Sequence, residues 1–253
     1  MNIRGFYTLL YKECLRFGKV ALQTLLAPIM TALLYLLVFA SVLEGRMQVF
    51  EGVSYTAFLV PGLMMMSVIQ NAFANSSSSL IQSKITGNLV FVLLTPLSNV
   101  EFLLAFVLAA VIRGLLVGIG VYLAVALFVP ISLHQPLYVA MFALLGSAVL
   151  ATLGIIAGIW ADKFDHLGAF QNFIIMPLSF LSGVFYSIHS LPDTWQQLSQ
   201  FNPFFYMIDG FRYGFFGASD VNPLLSLLVV GFFFIVLCAI SLAMLARGYK
   251  LRT

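Results

Sequence analysis

The chain has 253 residues, of which 62% are hydrophobic and only 8% are charged. About a quarter of the residues of a soluble globular domain are charged, so this chain cannot cover its surface with polar groups in water. The composition excludes a soluble domain and predicts an all-α integral membrane protein in contact with membrane lipid. The formal net charge of +3 is no evidence for a nucleic-acid partner, and none is expected, because the basic residues flank apolar segments as a membrane-topology signal.

Six apolar runs are long enough to cross the membrane, since a helix needs roughly 20 residues to span about 30 Å of hydrocarbon. The predicted transmembrane helices are residues 20–43, 55–75, 102–128, 137–160, 170–188 and 224–246. The fifth is the shortest and contains Pro177, which predicts a kink or a tilt there. The first follows a basic segment, and we expect it to act as a signal anchor.

Basic residues are distributed unevenly between the two sides of the predicted membrane. Nine of the 12 Lys and Arg residues lie in the N-terminal segment, in the loops after spans two and four, and in the C-terminal tail. The opposite side carries only Arg46 and Arg212, while Arg113 falls inside span three. By the positive-inside rule, both termini are expected in the cytoplasm.

The first 19 residues have the pattern of an amphipathic helix. Arg4, Thr8, Lys12 and Arg16 recur every four residues and form one polar stripe. A basic helix of this kind lies flat at the cytoplasmic headgroups. It serves either as a topology anchor alone or as a lever that also contacts a cytoplasmic partner.

The cytoplasmic stretch 76–101 is long for a connection. Gly87 and Pro96 bound an apolar patch, and Ser98 with Glu101 forms a capping-box motif that predicts the start of span three. An apolar segment held at the cytoplasmic face suits docking to a soluble partner, although a membrane-surface helix without a partner has the same pattern.

Motifs for catalysis and cofactor binding are missing from the sequence. It has no phosphate loop of the form G-x-x-x-x-G-K-[ST], no H-E-x-x-H or G-x-S-x-G motif and no Cys/His cluster. We therefore expect no catalytic, metal or cofactor site, and energy for transport would come from a partner or an ion gradient. No Asp or Glu falls within the six runs, which argues against an ion-coupled carrier.

Polar residues inside two of the predicted spans suggest a contact between them. Ser67, Gln70, Asn71 and Asn75 form a stripe on span two, and we expect Arg113 of span three to hydrogen-bond to it. Such a contact either links two helices or belongs to a pathway. The pairs Gly114/Gly118 and Gly154/Gly158 predict close helix packing, within the subunit or with a second copy.

The external stretch 189–222 contains FNPFFYMIDGFRYGFFG at residues 201–217, which is too apolar for a solvent loop and too interrupted for a span. Asp193 and Asn202 are predicted to cap two short helices, with Pro203 at the first position of the second. Asp209 and Arg212 lie three residues apart and are expected to pair. The three glycines of this segment are expected to end or loosen the second helix; they are Gly210, Gly214 and Gly217.

These residues resemble the signature of the type-2 ABC exporter permeases. The core of the resemblance is Pro203-Phe204, Tyr206 and Arg212. Residues at the expected spacings upstream are Ile175, Leu178, Leu181, Ser182, Val184, Leu191 and Pro192, and Gly87 with residues 93–98 resembles the coupling region of the family. The sequence departs from many members at residues 87–89, where they carry acidic residues.

The resemblance implies one permease domain over residues 1–253 in a bacterial cytoplasmic (inner) membrane. It implies a homodimer joined to two copies of a separate ATP-binding cassette subunit, which holds ATP-Mg. The N-terminal helix and the loop after span two would relay closure of the ATPase. The implied coupling residues are Arg4, Lys12, Arg16, Lys84, Gly87, Thr95 and Pro96, and the intramembrane polar residues are Gln70, Asn71 and Arg113.

Two short external helices between spans five and six would re-enter the membrane and cap the pathway. The implied gate residues are Pro203, Phe204, Phe205, Tyr206, Asp209, Arg212, Phe215 and Phe216. The Phe side chains, with Phe211, would form an apolar closure between the two subunits. Asp209 and Arg212 either brace this gate or touch substrate.

Export of an amphipathic or lipid-linked substrate, such as a drug, lipid or glycoconjugate, is the function that this resemblance implies. An ion-coupled carrier or channel without an ATPase partner is the alternative. A structural membrane protein without a pathway is a third hypothesis, which the broken external segment and the long cytoplasmic stretch disfavour.

Overall fold

A computed structural model describes residues 2–43 and 52–251, and helices make up most of them. In chain order they are α1 (Ile3–Gly18), α2 (Ala21–Leu43), α3 (Tyr55–Ile85), α4 (Asn88–Leu93), α5 (Asn99–Val125), α6 (Pro136–Trp160), α7 (Phe164–Phe170), α8 (Met176–Phe180), α9 (Asp193–Gln200), α10 (Pro203–Phe216) and α11 (Pro223–Arg247). Arg46 and Arg252, which contributed to the topology prediction, lie outside the described residues.

Five helices of the described chain are long and apolar enough to cross a membrane: α2, α3, α5, α6 and α11. They coincide with the first, second, third, fourth and sixth predicted spans. The prediction of an all-helical membrane protein is confirmed, while a sixth crossing of this kind is not found among residues 2–43 and 52–251.

The fifth predicted span, residues 170–188, is not one continuous helix. Helices α7 and α8 are joined by the π-helical turn Gln171–Ile175, and the helical run ends at Phe180. Pro177 has no amide hydrogen to donate, and π-helical turns occur where a helix accommodates such a break. Gly183 then turns the chain at a φ of 76°, a conformation that suits glycine.

Helix α3 forms the centre of the fold and is buried over most of its length between α5, α6 and α10. Glycines on the neighbouring helices allow this close approach. A Cβ atom at Gly154 would lie 2.6 Å from the carbonyl oxygen of Phe73, and one at Gly114 would lie 3.0 Å from that of Val68. The predicted small-residue contacts are therefore confirmed, and they are made within the chain.

Helix α3 also extends to Ile85, well beyond the predicted end at residue 75. The serine run that was assigned to a cytoplasmic connection is helical. Ser77 donates to the carbonyl of Phe73 at 2.8 Å, and Ser76 donates to that of Ala151 on α6 at 2.7 Å. Because these bonds satisfy the hydroxyls, the polar residues are stable inside the helix. The non-helical part of the predicted stretch 76–101 is correspondingly shorter.

Helices α2 and α11 lie on the outside of the fold. Only 17% of the most apolar 18-residue stretch of α2, and 11% of that of α11, is buried within the chain. Large apolar side chains such as Leu37 and Leu228 are consequently exposed. In a membrane these faces contact lipid or another subunit.

Candidate transport pathway and coupling sites

Arg113 of α5 contacts the polar stripe of α3, as predicted. Its two terminal nitrogens donate to the side-chain oxygens of Asn71, at 3.2 Å, and of Asn75, at 3.4 Å. The other two members of the stripe bond elsewhere: Gln70 donates to Ser179 on α8 at 3.4 Å, and Ser67 donates to the carbonyl of Leu63. The stripe thus connects α3 to both α5 and α8.

A second arginine joins this network from α1. Arg16 donates through Nη2 to the backbone carbonyl of Asn75, at 2.7 Å, and to its side-chain oxygen, at 2.9 Å. One neutral carboxamide oxygen therefore accepts hydrogen bonds from both Arg16 and Arg113. Two guanidinium groups that share one acceptor repel each other, because both carry a positive charge.

The sequence interpretation missed Glu13, which anchors α1 to α3. Its side chain is fully buried, and Oε2 accepts from Ser79 at 2.5 Å and from Arg16 Nε at 3.2 Å. The ammonium group of Lys12 lies 3.7 Å from Oε1. A carboxylate is stable in such a position only when it is paired and hydrogen-bonded. Glu13 is the sole acidic residue among the first 43, and that isolation is the signal that could have identified it.

Asn2, at the start of α1, contacts the segment that precedes α5. The backbone amide of Asn2 donates to Glu101 Oε1 at 2.5 Å, and its side chain donates to the carbonyl of Pro96 at 3.5 Å. Glu101 also forms the predicted capping box with Ser98, which is confirmed. Helix α1 is thus held near both of its ends, at Asn2 and at Glu13.

The remaining residues of the predicted coupling set occupy different environments. Arg4 and Lys12 are exposed on α1, Gly87 precedes α4 at a φ of 73°, and Thr95 donates to the carbonyl of Val92. Lys84 instead donates to the carbonyl of Ile159 in the last turn of α6, at 2.9 Å, and to that of Ala161 just after the helix, at 2.6 Å.

Asp162 adds a charge to this helix end. It lies 3.6 Å from Lys84 and accepts a hydrogen bond from Lys250 at 2.7 Å. The Lys250 hydrogen bond holds the pKa of Asp162 below its usual value. The basic residues at the end of α3 and in the C-terminal tail therefore stabilise the C-terminus of α6.

Helix α10 begins as the sequence predicted. Asn202 Oδ1 accepts from the amide of Phe204 at 3.0 Å, and Pro203 occupies the first position. The Asn202 amide also donates to the carbonyl of Leu178 at 2.7 Å, which ties α10 to α8. The corresponding prediction for α9 is wrong by one residue, because Pro192 is the capping position and Asp193 is already helical.

The glycines of α10 have two different roles. Gly217 ends the helix at a φ of 69°, as predicted. Gly210 and Gly214 neither end nor loosen it, since both lie inside the helix, where a Cβ atom would be 2.1 Å from the Phe142 ring or 2.4 Å from Val139. They allow α10 to pack closely on α6.

The predicted ion pair between Asp209 and Arg212 does not form, and the two side chains reach different loops. Arg212 donates to the carbonyl of Gly183 at 2.7 Å, and its guanidinium carbon lies 3.9 Å from the centre of the Phe58 ring. Asp209 accepts from the backbone amides of Asp220, at 2.8 Å, and Val221, at 3.0 Å. Each charge thus fixes a turn beside α10.

Most aromatic side chains of α10 do not face a second subunit. Phe204, Phe205, Phe211 and Phe215 are buried within the chain, so their prediction as an intersubunit closure is wrong. The sequence could not show which face of α10 is buried within the chain, because α10 is apolar nearly all round. Phe216 and Tyr206 keep accessible surface, and Tyr206 donates to the carbonyl of Gln200 at 2.9 Å.

A cleft of about 550 Å³ lies between α2 and α3, and Arg113 and Arg16 are among the residues that line it. We call it the central cleft. Gln70 and Asn71 line it on the α3 side, and Tyr35 lines it on the α2 side. It brings together all three predicted intramembrane polar residues and one residue of the predicted coupling set.

Long apolar helices, a docked basic N-terminal helix and a polar cleft inside the helical bundle define a multi-pass membrane transport protein. The chain belongs to the ABC-2 type transporter family, whose profile matches residues 4–216. It is therefore a transport permease of the inner membrane and not itself an enzyme, and membership of this family implies an ATP-binding cassette partner.

Two relatives illustrate the extent of the similarity. Inner membrane transport permease YadH of Escherichia coli (strain K12) is 38% identical over 242 residues, which cover 96% of this chain and 94% of that protein. Nodulation protein J of Rhizobium leguminosarum bv. viciae is 26% identical over 241 residues, which cover 93% of this chain and 92% of that protein.

Loss of the Ser79 hydroxyl should weaken the attachment of α1 to α3, in which Arg16 and Asn75 also take part. We expect Ser79→Ala to increase maleimide labelling of Cys14 roughly tenfold, because a hydrogen bond to a carboxylate contributes about 1.5–3 kcal/mol. Burial, together with the nearby Glu13 carboxylate, raises the pKa of the Cys14 thiol. Ser79→Ala keeps the Glu13 carboxylate, so it does not remove a charge that raises the pKa of Cys14. Faster labelling of Cys14 by maleimide would therefore report greater exposure of its thiol.

The labelling is measured in a Cys238→Ser background, which leaves Cys14 as the only thiol. Ser77→Ala is the matched control, because within the described part of the chain the Ser77 hydroxyl bonds only to the carbonyl of Phe73 in its own helix. Equal labelling rates in the two variants would show that the Glu13–Ser79 bond does not hold α1.

Proposed function

We propose that this chain is the permease subunit of an ATP-driven exporter. It moves an amphipathic or lipid-linked substrate out across the cytoplasmic membrane, and a separate ATP-binding cassette subunit supplies the energy. Membership of the ABC-2 type transporter family over residues 4–216 is the observation that carries this proposal. The names of the relatives, a transport permease and a nodulation protein, are compatible with it.

The functional complex is proposed to be a homodimer of this chain with two ATP-binding subunits. The outward apolar faces of α2 and α11 support a second copy in the membrane, since they are largely uncovered within one chain. Packing between apolar helices in lipid depends on close fit, and small residues such as Gly231 on α11, which has open space around it, permit such contacts.

The cytoplasmic ends of α1 and α3, together with α4, are proposed to receive the ATP-binding subunit. Helix α4 and the residue after it expose large apolar side chains on the side proposed to be cytoplasmic, since Phe91 and Leu94 are more than 70% exposed. Helix α1 connects this region to α5 through Asn2 and Glu101, and to α3 through Glu13 and Ser79. Movement of the ATPase against α4 would thus reach the helices that line the central cleft.

The external gate is proposed to consist of α9 and α10, re-entering the membrane between α8 and α11. Arg212 and Asp209 fix neighbouring turns to α10, and Asn202 ties α10 to α8, so these gate residues brace the cap and need not contact substrate. Phe216 and Tyr206 keep accessible surface and are the aromatic residues best placed to face the pathway.

Copurification with an ATP-binding cassette protein tests the proposal. The tagged chain is coexpressed with the candidate ATPase, purified in a neutral detergent and reconstituted into vesicles. We expect the ATPase to copurify, and we expect export of an amphiphile to require ATP. Transport driven by an ion gradient in the absence of any ATP-binding protein would overturn the proposal and favour a carrier.

Substitution of Phe91 should separate the two subunits. We expect Phe91→Glu to reduce copurification of the ATPase about tenfold or more, because it places a charge in an apolar contact. Leu133→Glu is the matched control: Leu133 is an exposed apolar residue in the connection between α5 and α6, on the opposite side of the membrane. If both variants retain the ATPase equally, α4 is not its docking site.

A further inference from the structure

The accessible surface of α3 forms a single stripe inside the bundle. Between residues 58 and 81, every residue of α3 is buried except Ser67, Gln70, Asn71, Ala74 and Ser78. Four of these five are polar, and Ser67, Gln70, Asn71 and Ser78 all line the central cleft. Hydrocarbon does not satisfy polar groups, so this stripe faces water or a polar ligand rather than lipid tails.

The part of the cleft lined by Arg16 and Arg113 carries more positive than negative charge. Arg16 has the Glu13 carboxylate as a partner, whereas the hydrogen-bond partners of Arg113 are the neutral amides of Asn71 and Asn75. The buried Nε of Arg113 has no hydrogen-bond partner within residues 2–43 and 52–251. The two guanidinium groups share the Asn75 oxygen, and one positive charge between them has no counter-ion among the described residues.

Both polar and apolar side chains of α2 line the cleft: Gln23, Thr24, Ala27, Pro28, Thr31, Ala32 and Tyr35. The α3 side is apolar at Leu63 and Met66, which lie more than two helical turns from Asn75, the residue that both arginines contact. A ligand with one charged end and one apolar end therefore fits the cleft in a single orientation. Its charged end would lie at the two arginines, and its apolar end would lie toward Leu63 and Met66.

We propose that the central cleft binds an amphiphilic anion, with the phosphate or carboxylate head group held by Arg113 and Arg16. Arginine suits this role because its planar group presents several donors to anionic oxygens. An anion there would neutralise the unbalanced charge. The inference rests on the proposed function in one respect: it identifies the anionic amphiphile as the exported substrate.

Binding is measured on the purified chain in dodecyl maltoside, without the ATP-binding subunit, by calorimetric titration. The probes are dodecyl phosphate, dodecanol and inorganic phosphate. We expect dodecyl phosphate to bind more tightly than the other two, because it alone fills both ends of the cleft. Equal binding of dodecanol would overturn the role of charge, and equal binding of inorganic phosphate would show a site for a free anion instead.

Arg113→Gln should weaken binding of dodecyl phosphate about tenfold or more, the effect of losing a hydrogen bond between charged groups. Arg247→Gln is the matched control, since it removes a positive charge at an exposed position outside the cleft. Thr31→Trp fills the cleft from α2 without changing charge, and we expect it to abolish binding. Because Thr31 is exposed, this variant remains informative if Arg113→Gln fails to fold.

Wild-type binding in both Arg113→Gln and Thr31→Trp would overturn the inference. Failure of the binding inference can be distinguished from failure of the proposed export function. If ATP-driven export persists but the chain does not bind dodecyl phosphate, only the anionic substrate class fails. If the chain binds dodecyl phosphate but no ATP-binding subunit drives export, the proposed function fails while the binding site stands.

Discussion

Arg212→Met should prevent the chain from accumulating as a folded membrane protein. The Arg212 side chain is almost fully buried, donates to the carbonyl of Gly183 and lies against the ring of Phe58. Losing a charge-assisted hydrogen bond together with a desolvated cation–π contact costs about 3–5 kcal/mol. That is a large fraction of the stability of a typical domain.

The measurement is the yield and melting temperature of the detergent-solubilised protein, followed by fluorescence-detected size exclusion. Arg212→Lys should not restore stability, because an ammonium group does not lie flat on Phe58 while reaching the Gly183 carbonyl. Arg247→Met, at an exposed position of α11, should behave as wild type. Near-wild-type yield and melting temperature for Arg212→Met would show that the turn at Gly183 is held by other contacts.

Features determined by neighbouring residues could be predicted from the sequence. The Ser98–Glu101 capping box and the Asn202–Pro203 helix start depend on residues within one turn of each other. The contact of Arg113 with the α3 stripe was predictable for another reason. A charge inside a membrane must have polar partners, and span two offered the nearest set.

Features determined by distant segments could not be predicted in this way. Asp209 and Arg212 are neighbours on one helix, yet Asp209 bonds to amides after α10 and Arg212 to a carbonyl before α9. Glu13 was overlooked because its partner Ser79 is 66 residues away. The serine run after residue 75 has the composition of a loop, but it is helical, and Ser76 bonds to the carbonyl of Ala151 on α6.

The contact between α3 and α6 is the second place where a small change should have a large effect. We expect Gly154→Ala to destabilise the protein by about 1–3 kcal/mol, the usual cost of overpacking a filled core. The added Cβ would lie 2.3 Å from Ser76 Oγ and 2.6 Å from the backbone oxygen of Phe73. A backbone atom cannot move aside by a rotamer change, so α6 would have to shift away from α3.

Gly231→Ala is the control for a glycine in a membrane helix with open space around it, and its melting temperature should be unchanged or slightly raised. Gly118→Ala gives a sharper comparison, because its Cβ would meet only the end of the Val68 side chain, at 2.6 Å. Val68→Ala should therefore rescue Gly118→Ala, whereas Ser76→Ala should not rescue Gly154→Ala while the Phe73 oxygen stays in place. Rescue by Ser76→Ala would mean that the backbones of α3 and α6 are farther apart than this packing requires.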